Sequence, residues 1–269
     1  MTVSKRVEIS APGKIILSGE HAVVYGYPAI VAAVDRRLWV NEKYEVKSEI
    51  PLGCGMGSSA AYAVATSALK LKLNGKPFDK EKINEMAYRL EKRQHGSPSG
   101  VDNTVCTYGG FLWYRKEVEE FKTFMPIKVQ RALPEFLIYN TGRPVESTKE
   151  MMEMVRERKA GKVLVQMEKV TRSVLKVLRN GNGDLLETTR ENERLLEELG
   201  VVSKLTVEIV RRVEKMGGAA KISGAGGKKE GSGIILMYHS DMERLRKFTR
   251  KERMEVFKVR LGEGGVRSE

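Results

Sequence analysis

Residues 51–61 read PLGCGMGSSAA, and the rest of the chain is understood outward from them. Gly53, Gly55 and Gly57 alternate with other residues, and Ser58 and Ser59 follow at once. The next stretch, AYAVATSALKLKL, is rich in alanine and leucine and stops at Asn74-Gly75. This pattern predicts a glycine-rich loop entering the N-terminus of a helix. The first N–H groups of a helix lack internal partners, and its dipole is positive there. Glycines let successive N–H groups turn inward and approach a ligand closely. The predicted product is a phosphate cradle. It is not a Walker A loop, because no Gly-Lys-Ser/Thr follows, and it is not a clean GxGxxG. Alone, the stretch describes a tight turn before a buried helix equally well.

Composition narrows the setting. The chain has 269 residues, enough for one large domain or two modest ones, and 41% hydrophobic content supports a core. A formal net charge of +13 favours anionic ligands: a nucleotide, an acidic metabolite or nucleic acid. Cys54 and Cys106 stand apart with no metal-ligand spacing, which fits a reduced cytoplasmic setting. No apolar run reaches membrane-spanning length, and MTVSKRVEIS has no signal-peptide core. Cys54 sits just before the predicted helix, where a thiol can be activated. It is therefore expected to react with a maleimide and to be shielded by a bound nucleotide.

On the N-terminal side, Val7 to Ser10 predicts a short strand, and the apolar runs at 15–17 and 29–34 predict buried strands. Lys14 precedes the first run, and Glu20 and His21 follow it. Each alone is usually a solvated strand end; three polar groups punctuating one apolar hairpin are harder to dismiss. Leu38 to Ile50 predicts a second hairpin turning near Asn41 to Lys43. Asp79 is a candidate cap for a helix over about 80–93, ending near Glu91. Residues 95–110 predict a loop, rich in Gly, Pro and Ser, holding Asp102 and leading into a strand FLWY. An Asx turn explains Asp102 by itself. From Leu133 onward the pattern predicts a strand, helices over about 146–158, 162–180, 183–199 and 203–216, strands at 219–223 and 233–238, a helix over about 241–252, and a closing strand at 256–261. Strands bracketing helices suggest an antiparallel sheet with helices on one side.

Four stretches in this order resemble the GHMP kinases, and the mevalonate kinases among them in particular. They are APGKIILSGEHAVVYGYPA at 11–29, PLGCGMGSSAA at 51–61, EKRQHGSPSGVDNTVCTYGG at 91–110 and KISGAGG at 221–227. The resemblance implies an α+β, two-domain fold. Its first part, 1–131, would be a ribosomal-protein-like α/β domain handling phosphates and catalysis. Its second, 132–269, would be a ferredoxin-like domain with added helices that contributes the GAGG loop.

The resemblance also implies ATP-dependent phosphorylation of mevalonate, with Mg²⁺ as cofactor. Asp102 and Lys14 take the catalytic positions in it. Glu20 and His21 lie near the substrate. Gly53, Gly55, Met56, Gly57, Ser58, Ser59 and Ala60 hold the ATP phosphates, and Ser59 and Glu91 the metal. Gly224, Ala225, Gly226 and Gly227 shape the floor. Neither nucleic acid nor a membrane is an expected partner, and a homodimer is left open. The alternatives are a related kinase acting on phosphomevalonate or another small alcohol, or a non-catalytic RNA-binding protein of similar fold. Only the 16 residues 35–50 separate the first motif from the phosphate loop, where relatives carry a longer insertion that helps form the adenine pocket. That shortening predicts loose nucleotide selection. The third motif also departs, with Lys228-Lys229-Glu230 after GAGG.

Overall fold

The computed structural model describes residues 7–96, 98–131, 133–158 and 160–269. The first six residues, Ser97 in the third resembling stretch and Ala132 at the expected domain boundary lie outside these. The described chain forms two antiparallel sheets with helices packed on them. The first contains β1 (Glu8–Ser18), β2 (Pro28–Asn41), β3 (Val46–Ser48), β4 (Phe111–Lys116) and β5 (Lys122–Pro126). The second contains β6 (Phe136–Asn140), β7 (Ala219–Ile222), β8 (Ile234–Tyr238) and β9 (Val256–Val259), in the order β7-β8-β6-β9.

The apolar runs behave as expected of strands buried on both faces. Ile15, Leu17, Ile30 and Val34 join the larger core, whereas Ile16, Ala29, Val31 and Ala33 pack on the opposite face. The larger core receives α1 (Ser58–Leu73), whose alanines let it lie close to β1 and β2. Alongside α1 runs α2 (Lys80–His95), capped by Asp79, whose side chain accepts from the N–H groups of Glu81 and Lys82. The later helices fall where the sequence predicts them: α4 (Thr148–Glu157), α5 (Gly161–Asn180), α6 (Leu185–Glu198), α7 (Lys204–Lys215) and α8 (Met242–Lys251).

Two expectations are corrected. Asp102 is not in a loop: it is the second residue of α3 (Val101–Tyr108), which starts after Gly100. The residues VDNTVCTY are poor helix formers, crowded with β-branched side chains. Tertiary packing supplies what propensity lacks, because Val101 and Val105 sit against Ile16, Val31, Leu112 and Tyr114.

The strand at 256–259 does not close the chain. Residues 262–269 return to the first sheet, where β10 (Arg267–Ser268) pairs with Ile9 and Ser10 of β1. Arg37 holds this tail. Its buried guanidinium donates to Ser10 Oγ at 2.8 Å and to the carbonyls of Gly264 and Gly265 at 3.0 and 2.9 Å. Among the described residues no helix is long and apolar enough to cross a membrane.

Candidate active site

A cavity of about 220 Å³ lies where the glycine-rich loop before α1, β1, α3 and the loop after β7 meet. The glycine-rich loop is anchored to both sheets. Lys14 N–H of β1 donates to Met56 O at 2.9 Å, and Ile234 N–H of β8 donates to Cys54 O at 2.9 Å. Two glycines permit this closeness. A Cβ on Gly55 would lie 2.3 Å from Ser223 O, and one on Gly57 would lie 2.7 Å from Lys14 Cγ. Both have positive φ, and Gly57, at +76°, is the residue from which α1 starts. None of α1's own first-turn residues is acidic, so none of them neutralises the positive end of the helix dipole.

Lys14 is buried, 2% exposed, and its Nζ stands 3.2 Å from Asp102 Oδ1. Because Lys14 and Ile16 are two apart on one strand, both face the cavity. Asp102 comes from the first turn of α3, where the helix dipole favours a carboxylate. Ser59, in the first turn of α1, donates through Oγ to Glu91 Oε1 of α2 at 2.6 Å, and both residues line the cavity. A hydroxyl and a carboxylate side by side are hard oxygen donors of the kind Mg²⁺ takes. Gly53, Ser58 and Ala60 line it as well.

His21 enters from the 3₁₀ turn Ala22–Tyr25, which it precedes. Its φ is positive, 60°, with ψ at −48°, a backbone conformation costly for a residue with a Cβ. Its Nε2 lies 3.0 Å from Ala225 O. A carbonyl can only accept, so Nε2 carries the proton and Nδ1 keeps its lone pair. Nδ1 is buried without a hydrogen-bond partner. Burial pulls the imidazole below its ordinary pKa, which keeps the ring neutral.

Other expected residues lie off the cavity. Glu20 is fully buried and turned away, ion-paired with Lys221. Met56 contributes its backbone carbonyl, while its side chain is in the core. Of the third-motif loop, Gly224 and Ala225 line the cavity. Gly226 instead packs on Val201, and Gly227 N–H donates to Val201 O at 2.9 Å. Cys54 is buried at 5% exposure with its thiol donating to Leu52 O at 3.2 Å, so ready alkylation is not expected of it.

Sequence reasoning passed over Thr148 and Met152, which line the cavity from one face of α4, four residues apart. It also passed over the wall made by Val23, Val24 and Pro98 to Val101. A capping box at Ser147 and Glu150 was the available sign that α4 begins there.

Comparison with known proteins identifies the family of the chain. The family of GHMP kinases N terminal domains matches residues 24–110. A mevalonate kinase of Archaeoglobus fulgidus is 34% identical, with 81% of this chain and 88% of that protein covered. One from Pyrococcus furiosus is 32% identical, with 82% of this chain and 87% of that protein covered. The crystal structure of L. major mevalonate kinase in complex with R-mevalonate superposes with a TM-score of 0.81 at 22% identity, covering 95% of this chain and 96% of that one, a likeness of fold. The chain belongs to the GHMP kinase family, on its mevalonate kinase branch.

Proposed function

We propose that this chain transfers the γ-phosphoryl group of ATP to the 5-hydroxyl of mevalonate. The observation that carries the reading is the Lys14–Asp102 pair, 3.2 Å apart, facing the N-terminus of α1 across one cavity. Phosphoryl transfer needs alignment and charge neutralisation more than covalent chemistry from the protein. The loop from Gly53 to Ala60 and the first N–H groups of α1 cradle the triphosphate. Lys14 places a buried positive charge beside the oxygens on which charge develops. Asp102 receives the hydrogen bond of the attacking hydroxyl. Its carboxylate takes up that proton as the new oxygen–phosphorus bond forms and the bond to ADP breaks. His21 Nδ1 offers a second, neutral acceptor to a substrate hydroxyl.

Ser59 and Glu91 would hold Mg²⁺, with phosphate oxygens and water completing its shell. When bound, the ion neutralises phosphate charge and fixes the triphosphate's orientation. In this reading the chain divides near residue 131, with the phosphate machinery on the first part and the Gly224–Ala225 loop on the second. Two free, buried cysteines accord with a cytoplasmic place.

Coupled measurement of ADP release with mevalonate, phosphomevalonate and homoserine tests the proposal. Mevalonate is expected to give the highest kcat/KM by at least about a hundredfold, or about 2.7 kcal/mol in transition-state binding. Preference for either other alcohol would overturn it.

A further inference from the structure

One edge of β1 is paired with β10 only at Ile9 and Ser10. Further along that edge the strand is sealed by loops and side chains. Lys14 N–H goes to the phosphate loop. Two residues on, Ile16 N–H donates to Ser223 Oγ at 2.9 Å, and Ile16 O accepts from Lys221 Nζ at 3.1 Å. Both polar groups of Ile16 are thus tied to the segment that carries the third-motif loop.

Lys221 is the unusual member of β7, a charged residue 1% exposed in a strand that otherwise reads Ala-Ala-Ile. Its ammonium has three hydrogens and three acceptors: Ile16 O, Ile222 O at 2.6 Å and the Glu20 carboxylate. Glu20 Oε2 accepts from Asn192 Nδ2 at 3.1 Å, and Asn192 Oδ1 accepts from Ser18 Oγ at 2.8 Å. A second buried carboxyl, Glu193, accepts from Ile222 N–H at 2.9 Å. Burial pushes that acid up to about 8, so at neutral pH it is protonated, and the ion pair of the cluster is the one between Lys221 and Glu20.

This cluster underlies two parts of the cavity wall at once. Glu20 is bonded in sequence to His21, and Lys221 is three residues before Gly224. His21 in turn reaches Ala225 O, closing the circuit from the other side.

We infer that Lys221 is a positioning residue for phosphotransfer. By locking Glu20 and Ile16 to β7, it holds the His21 ring and the Gly224–Ala225 loop in register across the substrate. The inference rests on the phosphotransferase reading of the cavity. A buried ion pair adds little net stability compared with apolar replacements, but removing one partner is severe. The pair's contribution is therefore the geometry it fixes, tying Glu20 and Ile16 to β7.

Three variants separate positioning from packing: Lys221→Met, Glu20→Gln and the double variant. Lys221→Met strands a buried carboxylate, so Tm is expected to fall sharply. The double variant strands no charge, and its Tm is expected to return near that of the parent. Its kcat/KM for mevalonate is nevertheless expected to stay down by about tenfold or more, the scale of a misplaced reacting group. Long-range ¹H–¹⁵N spectra supply a readout independent of turnover, since the chain has three histidines. The parent's His21 is expected to show a protonated, hydrogen-bonded Nε2, and the double variant to lose that pattern. Should Lys221→Met not fold, the double variant carries the test. Recovery of both Tm and kcat/KM to within about twofold, or an unchanged His21 spectrum, would overturn the inference. A parent inactive on every alcohol would overturn the phosphotransferase reading instead, while the His21 spectra still decide the lock.

Discussion

Lys14 reaches Asp102 across the join between β1 and α3, and the two residues differ in exposure, 2% against 35% for their side chains. The ammonium is enclosed while the carboxylate keeps a face toward the cavity. Lys14→Met and Asp102→Asn are both expected to yield folded protein. Each should lower kcat by on the order of a hundredfold or more, the cost of removing a preorganised charged group. Circular dichroism establishes folding, and steady-state kinetics the loss. Near-parental kcat in either folded variant would remove the pair from the mechanism.

Ser59→Ala and Glu91→Gln each delete an oxygen from the pair that bridges α1 and α2. The Mg²⁺ concentration for half-maximal rate at fixed ATP is expected to rise by on the order of tenfold in each, as for loss of a group that orients or supplies a ligand. Titrations that superpose on the parent's in both variants would place the metal elsewhere.

Nucleotide choice is expected to be loose. The short β3 is exposed along its length, and Leu52 beside the phosphate loop is 73% exposed. At β3 the 35–50 segment thus presents its side chains to solvent. ATP, GTP and CTP should support comparable rates. A preference for ATP beyond about a hundredfold in kcat/KM, about 2.7 kcal/mol, would contradict this.

Glu193 gives stability a pH signature. The acid is held up to about 8 when folded, against an ordinary 4.5. Between those values the folded chain keeps a proton that the unfolded chain releases, so this group lowers stability as pH rises and the effect levels off above about 8. Glu193→Gln removes the contribution. Its Tm minus the parent's is expected to grow more positive from pH 5 to pH 8 in a thermal melt series. A difference that stays flat across that range refutes the assignment.

The glycine-rich loop entering α1 was legible because its signal is local. Alternating glycines, two serines and an alanine-rich helix carry the message without help from distant residues, and the structure places Gly55 and Gly57 where a side chain would collide. The helix of Asp102 was not legible, because propensity argues against VDNTVCTY and only Val101 and Val105 packing on the sheet overrides it. Glu20 was found as a polar residue beside an apolar run, but its partner Lys221 lies on another sheet, and no pattern in either stretch pairs them. Arg37 is similar: in sequence it is one of two arginines after Asp35, and its burial depends on carbonyls at 264 and 265. Local chemistry was readable, whereas long-range satisfaction of buried charge was not.

The return of residues 262–269 to β1 has a consequence for how the molecule is made. A ribosome delivers Ile9 and Ser10 early and their partners Ser268 and Arg267 some two hundred and fifty residues later, at about 5–20 residues per second. Until then the outer border of the first sheet near its start is an open template for other strands, and Arg37 lacks the carbonyls that enclose it. The first half, expressed by itself, would carry the glycine-rich loop and Asp102 yet leave β1 unpaired at Ile9 and Ser10. Supplying residues 256–269 as a separate peptide would offer that edge its missing thread.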